Sequence, residues 1–182
     1  MSQTEFTIRR KGFTICGVKF HLYNANGELI GFCKQKAFQL KKDIRIYTDE
    51  TLDEERVAIM ARSIIDSEPA YDVIDSKSGD KLGALRRKNP TALSRDVWSV
   101  LDENDFEIGL IRRDCAWLAI FRRDVGNLIP QTFHLVDNEG DQLTKFRTHF
   151  NPFIHRLTVT IDEECPLHSY LMLAAGILFV AF

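Results

Sequence analysis

Three basic clusters are the residues best suited to hold an anion: Arg86-Arg87-Lys88, Arg112-Arg113 and Arg122-Arg123. An arginine guanidinium grips a phosphate or carboxylate through two parallel N–H bonds. Clustered Lys and Arg attract an anionic lipid surface at ~1 kcal/mol each. The first two clusters each follow a predicted hairpin and the third ends an apolar strand, so adjacent strand ends would gather them into one patch. Alternation along a strand sends the two members of a pair to opposite faces, so at most half of them serve one surface. The competing reading is an ordinary solvated surface in which they pair with Asp96, Asp114 and Asp124.

Other reactive residue types form no recognisable site. The histidines are His21, His134, His149, His155 and His168, and none sits in an H-E-x-x-H or similar ligand spacing. His149 and His155 flank Asn151-Pro152 and are read as structural, while His168 and Tyr170 are expected where the tail enters the fold. The chain has no G-x-S-x-G, P-loop or G-x-G-x-x-G pattern, no cysteine with a plausible histidine partner in sequence and no isolated carboxylate pair. No catalytic residue, metal site or cofactor is therefore assigned, and a non-enzymatic protein is expected. Trp98 and Trp117 lie in strand patterns and are read as core. Cys16, Cys33, Cys115 and Cys165 include no C-x-x-C and read as free thiols of a reducing cytosol.

Composition sets the outer bounds. A chain of 182 residues at 45% hydrophobic content supplies one domain with a full core. A net charge of -2 argues against generic nucleic-acid binding. The first residues, MSQTEFTIRRK, contain no apolar h-region, so no secretory signal is expected. No internal stretch reaches the ~20 apolar residues of a membrane span. A cytoplasmic location, with possible contact to a membrane surface, is the resulting expectation.

The elements that must position these residues are mostly hairpins. Four segments run from an aromatic through a short strand to Asp or Asn, then a polar turn, then a second strand: residues 23–31, 71–83, 98–109 and 133–143. Gly27, Gly79 and Gly140 close three of the turns, and Asp105 replaces glycine in the other. Asp, Asn and Gly reverse a chain because they bond to local backbone or tolerate positive φ. The irregular spacing excludes a solenoid or propeller and favours a closed antiparallel sheet. Residues 43–48 and 156–161 alternate with period two, and 115–121 form a continuously apolar strand. Thr51-Leu52-Asp53-Glu54 resembles a capping box, and Leu52, Val57, Met60 and Ile64 form a helical stripe. Val57, Ile59, Ala61, Ser63 and Ile65 equally define one strand face. The flanking hairpins favour the strand.

The tail is unusual. Residues 167–182 read LHSYLMLAAGILFVAF, and no side chain from Leu171 onward is polar. Asp162, Glu163 and Glu164 precede it, and acids favour a helix N-terminus. Pro166 suits the first helical position. A helix apolar all round is enclosed by protein or lipid. At ~1.5 Å per residue the segment spans ~24 Å, short of the ~30 Å hydrocarbon core. A buried helix is expected.

The hairpins, the Asn151-Pro152-Phe153 link and the terminal helix together resemble the tubby C-terminal-like superfamily, in particular LURP-one-related proteins and phospholipid scramblases. The resemblance extends from about residue 13 to 182. It implies a roughly twelve-stranded antiparallel barrel around residues 167–182, with 56–66 a strand. It also implies a surface that binds anionic phospholipid. Asp137-Asn138-Glu139-Gly140-Asp141 is acidic, but it occupies a hairpin turn and lacks the full calcium-loop pattern. No palmitoylation-type cysteine cluster is present.

The expected protein is a single all-β domain over residues 1–182, a closed antiparallel barrel enclosing a C-terminal helix. Its expected role is a non-enzymatic module for anionic phospholipid, through Arg86, Arg87, Lys88, Arg112, Arg113, Arg122 and Arg123. The alternatives are a protein-interaction or stress-response scaffold and a scramblase-like membrane protein. A small-molecule pocket would need space beside the helix.

Overall fold

The computed structural model describes residues 3–14, 17–35, 43–62, 68–88, 97–113, 130–149 and 155–181. Twelve strands, each antiparallel to its neighbours, close into a barrel: β1 (Gln3–Thr14), β2 (Gly17–Asn24), β3 (Leu29–Gln35), β4 (Asp43–Tyr47), β5 (Glu55–Ala61), β6 (Ala70–Asp75), β7 (Lys81–Arg87), β8 (Trp98–Leu101), β9 (Glu107–Arg113), β10 (Thr132–Asp137), β11 (Gln142–His149) and β12 (His155–Asp162). Each pairs with its sequence neighbours, and β1 seals the barrel against β12 with Ile8 opposite Leu157. Closure leaves no free sheet edge to aggregate. The segment open to two readings is strand β5, with Val57 and Ile59 fully buried. Its helical reading fails at Leu52, whose positive φ of 66° belongs to the turn before it. The strand ends at Ala61, and 63–67 lie outside the described residues, as do the apolar strand 115–121, Trp117 and the 151–153 link.

All four expected hairpins are present and share one device. The Asp137 carboxylate accepts the N–H groups of Glu139, Gly140 and Asp141 at 2.9, 2.8 and 2.8 Å. Asn24, Asp75 and Asp102 do the same for their own turns. Each turn closes on a residue with positive φ: Gly27, Gly79, Gly140 and, in glycine's place, Asp105 at 70°. Aspartate tolerates this region because its short side chain bonds locally. Here the Asp105 carboxylate is also gripped by Arg62 and by Lys81, the latter at 2.7 Å.

Those two cations hold the Asp105 carboxyl down at about 2. A depressed carboxylate contributes stability above its unfolded pKa of ~4 and loses it as pH falls toward the folded value. Asp105→Asn should therefore flatten the acid limb of stability between about pH 4 and 2, since asparagine keeps the turn geometry. The group is exposed, so the loss at neutral pH should stay below about 1 kcal/mol. Urea unfolding midpoints at several acid pH values read both effects.

A helix, α1 (Ser169–Ala181), fills the barrel axis. It starts two residues later than the sequence suggests. Pro166 lies outside the helix, just after the turn that ends β12, and the His168 ring accepts the Tyr170 N–H at 3.3 Å as the cap. His168 stacks on Tyr170, whose hydroxyl accepts from Arg56, so both residues do sit where the helix enters the barrel. The barrel supplies inward side chains on all sides, so α1 is buried around its whole circumference. Leu171, Met172, Ile177 and Leu178 are 0% exposed. Phe179 packs between Trp98, Phe133 and Phe146, with ring centroids 5.1 to 5.9 Å away.

The helix also sets an electrical direction. It runs from the hairpin end, rich in Asp75, Asp80, Asp102, Asp137, Glu163 and Glu164, toward the end where Arg10, Arg87 and Arg113 point inward. Arg10 donates to the Val180 carbonyl at 3.0 Å. Acids toward the positive helix end and a cation at its negative end both complement the helix dipole.

Candidate functional site

The basic clusters singled out from the sequence divide as strand alternation requires. Arg87 lies directly opposite the buried Trp98, and Arg113 directly opposite the buried Phe133, with its guanidinium 5.6 Å from that ring. Both therefore face inward and serve no outer surface. Arg86 and Lys88 face outward and share a carboxylate. Lys88 reaches Glu107 at 3.0 Å, and Glu107 also accepts from Ser99 at 2.7 Å. The Ser99 bond, then Lys88, with Arg86 adding its field, holds Glu107 below the usual carboxylate range. The sequence named other acids as partners, but Glu107 faces these strands through the β8–β9 hairpin. Arg122, Arg123 and the acids Asp96, Asp114 and Asp124 lie outside the described residues.

Arg112 alone among the described candidates joins a larger basic surface. It sits opposite His134, which sits opposite Lys145. The same outer face continues across β11, β12, β1, β2 and β3. Arg147 lies opposite Thr158, His149 opposite Arg156, and Arg156 opposite Arg9. Lys11 lies opposite Lys19, and Lys19 opposite Lys34.

Arg156–Arg9, Lys11–Lys19 and Lys19–Lys34 are like charges placed directly across the ladder. Such neighbours have Cβ atoms roughly 5 Å apart and destabilise a sheet. Several cations elsewhere in the barrel are paired. Arg45 holds Glu55, Arg62 and Lys81 hold Asp72 and Asp105, and Lys88 holds Glu107. Among the described residues, Arg9, Lys11, Lys19, Lys34, Lys145, Arg147 and Arg156 form no ion pair within 4.0 Å.

Two carboxylates border the band. Glu50 binds the buried His21 at 2.8 Å and feels Lys19 and Lys11, which together hold it below its ordinary pKa. Glu5 lies near His149. Tyr23 and Phe32 add aromatic faces beneath Arg9 and Lys19, at 4.9 and 6.0 Å from the ring centroids.

The chain matches no protein-family model and no curated protein. The chemistry of the surface must therefore be argued from its own geometry.

No nucleophile with a base emerges from the described residues. The Cys33 thiol is buried and pushed up to about 12, mainly by desolvation, so it stays a neutral core group. Cys165 is a free, half-buried thiol. The Asp137 carboxylate is occupied by three turn N–H groups. Among the described residues no set of His, Cys, Asp and Glu is placed to hold a metal ion, and no helix is long and apolar enough to cross a membrane.

The central residues of the band were missed by sequence reasoning because no strand carries more than two of its outward cations. Arg147 and Arg156 are separated in the chain by a connection and meet only through the β11–β12 ladder. One signal was present. Arg9-Arg10-Lys11 is as basic as the clusters singled out above, and alternation sends Arg9 and Lys11 outward and Arg10 to the helix.

Proposed function

We propose that this protein is a non-enzymatic module that binds anionic phospholipid at a membrane surface through the outer face of β11, β12, β1, β2 and β3. The reading rests on one observation: cations stand side by side across neighbouring strands with no carboxylate within 4.0 Å among the described residues. That arrangement costs folding stability, and a sheet of anionic headgroups offsets it. The curved, broad face suits a surface better than a deep small-molecule site, because α1 occupies the barrel axis. The resemblance to scramblase-like and LURP-one-related barrels is in keeping with this role. A cytoplasmic location and peripheral membrane contact form part of the same proposal.

Flotation with phosphatidylcholine vesicles, with and without phosphatidylserine, tests the reading. Binding should require phosphatidylserine and weaken as salt is raised. Arg147→Glu with Arg156→Glu removes two attractive charges and adds two repulsive ones, about 4 kcal/mol in all at ~1 kcal/mol per charge. A loss of at least about a hundredfold in affinity is expected. The Arg156→Glu change also sets a carboxylate opposite Arg9, so the double variant should melt no lower than the parent. Equal binding to neutral and anionic vesicles, or undiminished binding by this folded variant, refutes the proposal.

A further inference from the structure

His149 occupies a special place in the band. It lies directly opposite Arg156 on β12, two residues beyond Arg147 on its own strand. Its Nε2 is 2.8 Å from the Thr158 hydroxyl, and Thr158 is itself the residue opposite Arg147. The imidazole is thus held across the β11–β12 ladder, beside both guanidinium groups. Among the described residues, the charged groups facing it are Arg147 from β11, Arg156 from β12 and Glu5 from β1, with Arg9 beyond Arg156.

We propose that His149 is the proton-sensing contact of this surface, gaining its proton when an anion spans Arg147 and Arg156. The proposal rests on the anion-binding role given above and adds a residue that sets its pH dependence. The physical basis is the balance of neighbours. Partial desolvation, then Arg156, then Arg147 disfavour the charged ring and lower its pKa, while Glu5 opposes them. The ring is therefore neutral near pH 7 on the empty surface. A phosphate or headgroup cancels the guanidinium field and supplies an opposite charge, so the bound state favours the imidazolium. By linkage, a state that takes up a proton on binding gains affinity as pH falls. The gain should appear below the ordinary histidine range, ~6.5.

The test uses the full chain in two measurements. In flotation with phosphatidylserine vesicles, affinity should be about fivefold tighter near pH 5.5 than near pH 7.5, the worth of one added cationic charge at an anionic surface. His149→Gln keeps a hydrogen-bonding group toward Thr158 but cannot titrate, so its affinity should change less over that range than the parent's. Separately, NMR titration of the His149 ring should give a higher pKa with saturating inorganic pyrophosphate than without it. An unchanged slope in His149→Gln, or a ring that titrates identically with and without pyrophosphate, overturns the assignment. Absence of vesicle binding at every pH would instead remove the lipid reading and leave the pyrophosphate titration to judge His149.

Discussion

Removal of residues 171–182 is expected to leave no folded protein. Leu171, Met172, Leu173, Ile177 and Leu178 are each at most 1% exposed and touch the inner faces of the strands. Fully burying such side chains contributes roughly 1.5–3 kcal/mol apiece. Five of them therefore carry about 10 kcal/mol, comparable with the roughly 5–15 kcal/mol net stability of a whole domain. The loss also empties the barrel axis, and a closed sheet cannot collapse to refill it. Soluble yield and far-ultraviolet circular dichroism on heating measure the outcome. A soluble truncation that melts cooperatively would show that the helix is dispensable to the barrel.

Gly83→Ala should be among the most damaging single substitutions in the barrel. Gly83 sits at an irregularity in the β6–β7 ladder with φ of 143°, a conformation that side chains rarely adopt. An added Cβ would lie 2.5 Å from the Leu101 carbonyl oxygen and 2.7 Å from a Leu171 methyl. The first contact is with backbone of β8, and the second is with the first buried turn of α1. Relief of one drives the strand into the other. Backbone strain of this type costs about 1–3 kcal/mol before any clash, and overpacking adds about 1–3 kcal/mol more. A fall of about 10 °C in melting temperature is expected for a chain of this length. Gly79→Ala is the control: its φ is also positive, but its Cβ would meet nothing within 4 Å. Equal melting of the two variants would show that the close contacts of Gly83 with β8 and α1 contribute nothing.

The turn chemistry and the period-two alternation were legible because they are local. An Asp or Asn followed by glycine or its stand-in folds back on its own N–H groups wherever it is placed, and all four hairpins appeared where those residues fall. The inward faces followed as well: Leu157, Val159 and Ile161, which alternate in the sequence, are at most 6% exposed. The helix start was less legible. Pro166 and the acids before it match a generic N-terminus, but the His168 ring provided a cap two residues later. In the β4–β5 connection, a helical capping pattern yielded to a turn because the strands on both sides demanded a short link.

The class of fold, the positions of the turns and the need to enclose residues 171–182 were all contained in the order of residues, since each follows from short-range chemistry or from the exclusion of apolar surface from water. Which cations share a face depends on how the strands pair in three dimensions. Ladder register sets Arg156 beside Arg9 and Arg147 across from Thr158, although the chain keeps β1 and β12 far apart in sequence. A total charge of -2 conceals this, because charge summed along a chain carries no direction, whereas the field at a surface depends on which strands close against each other.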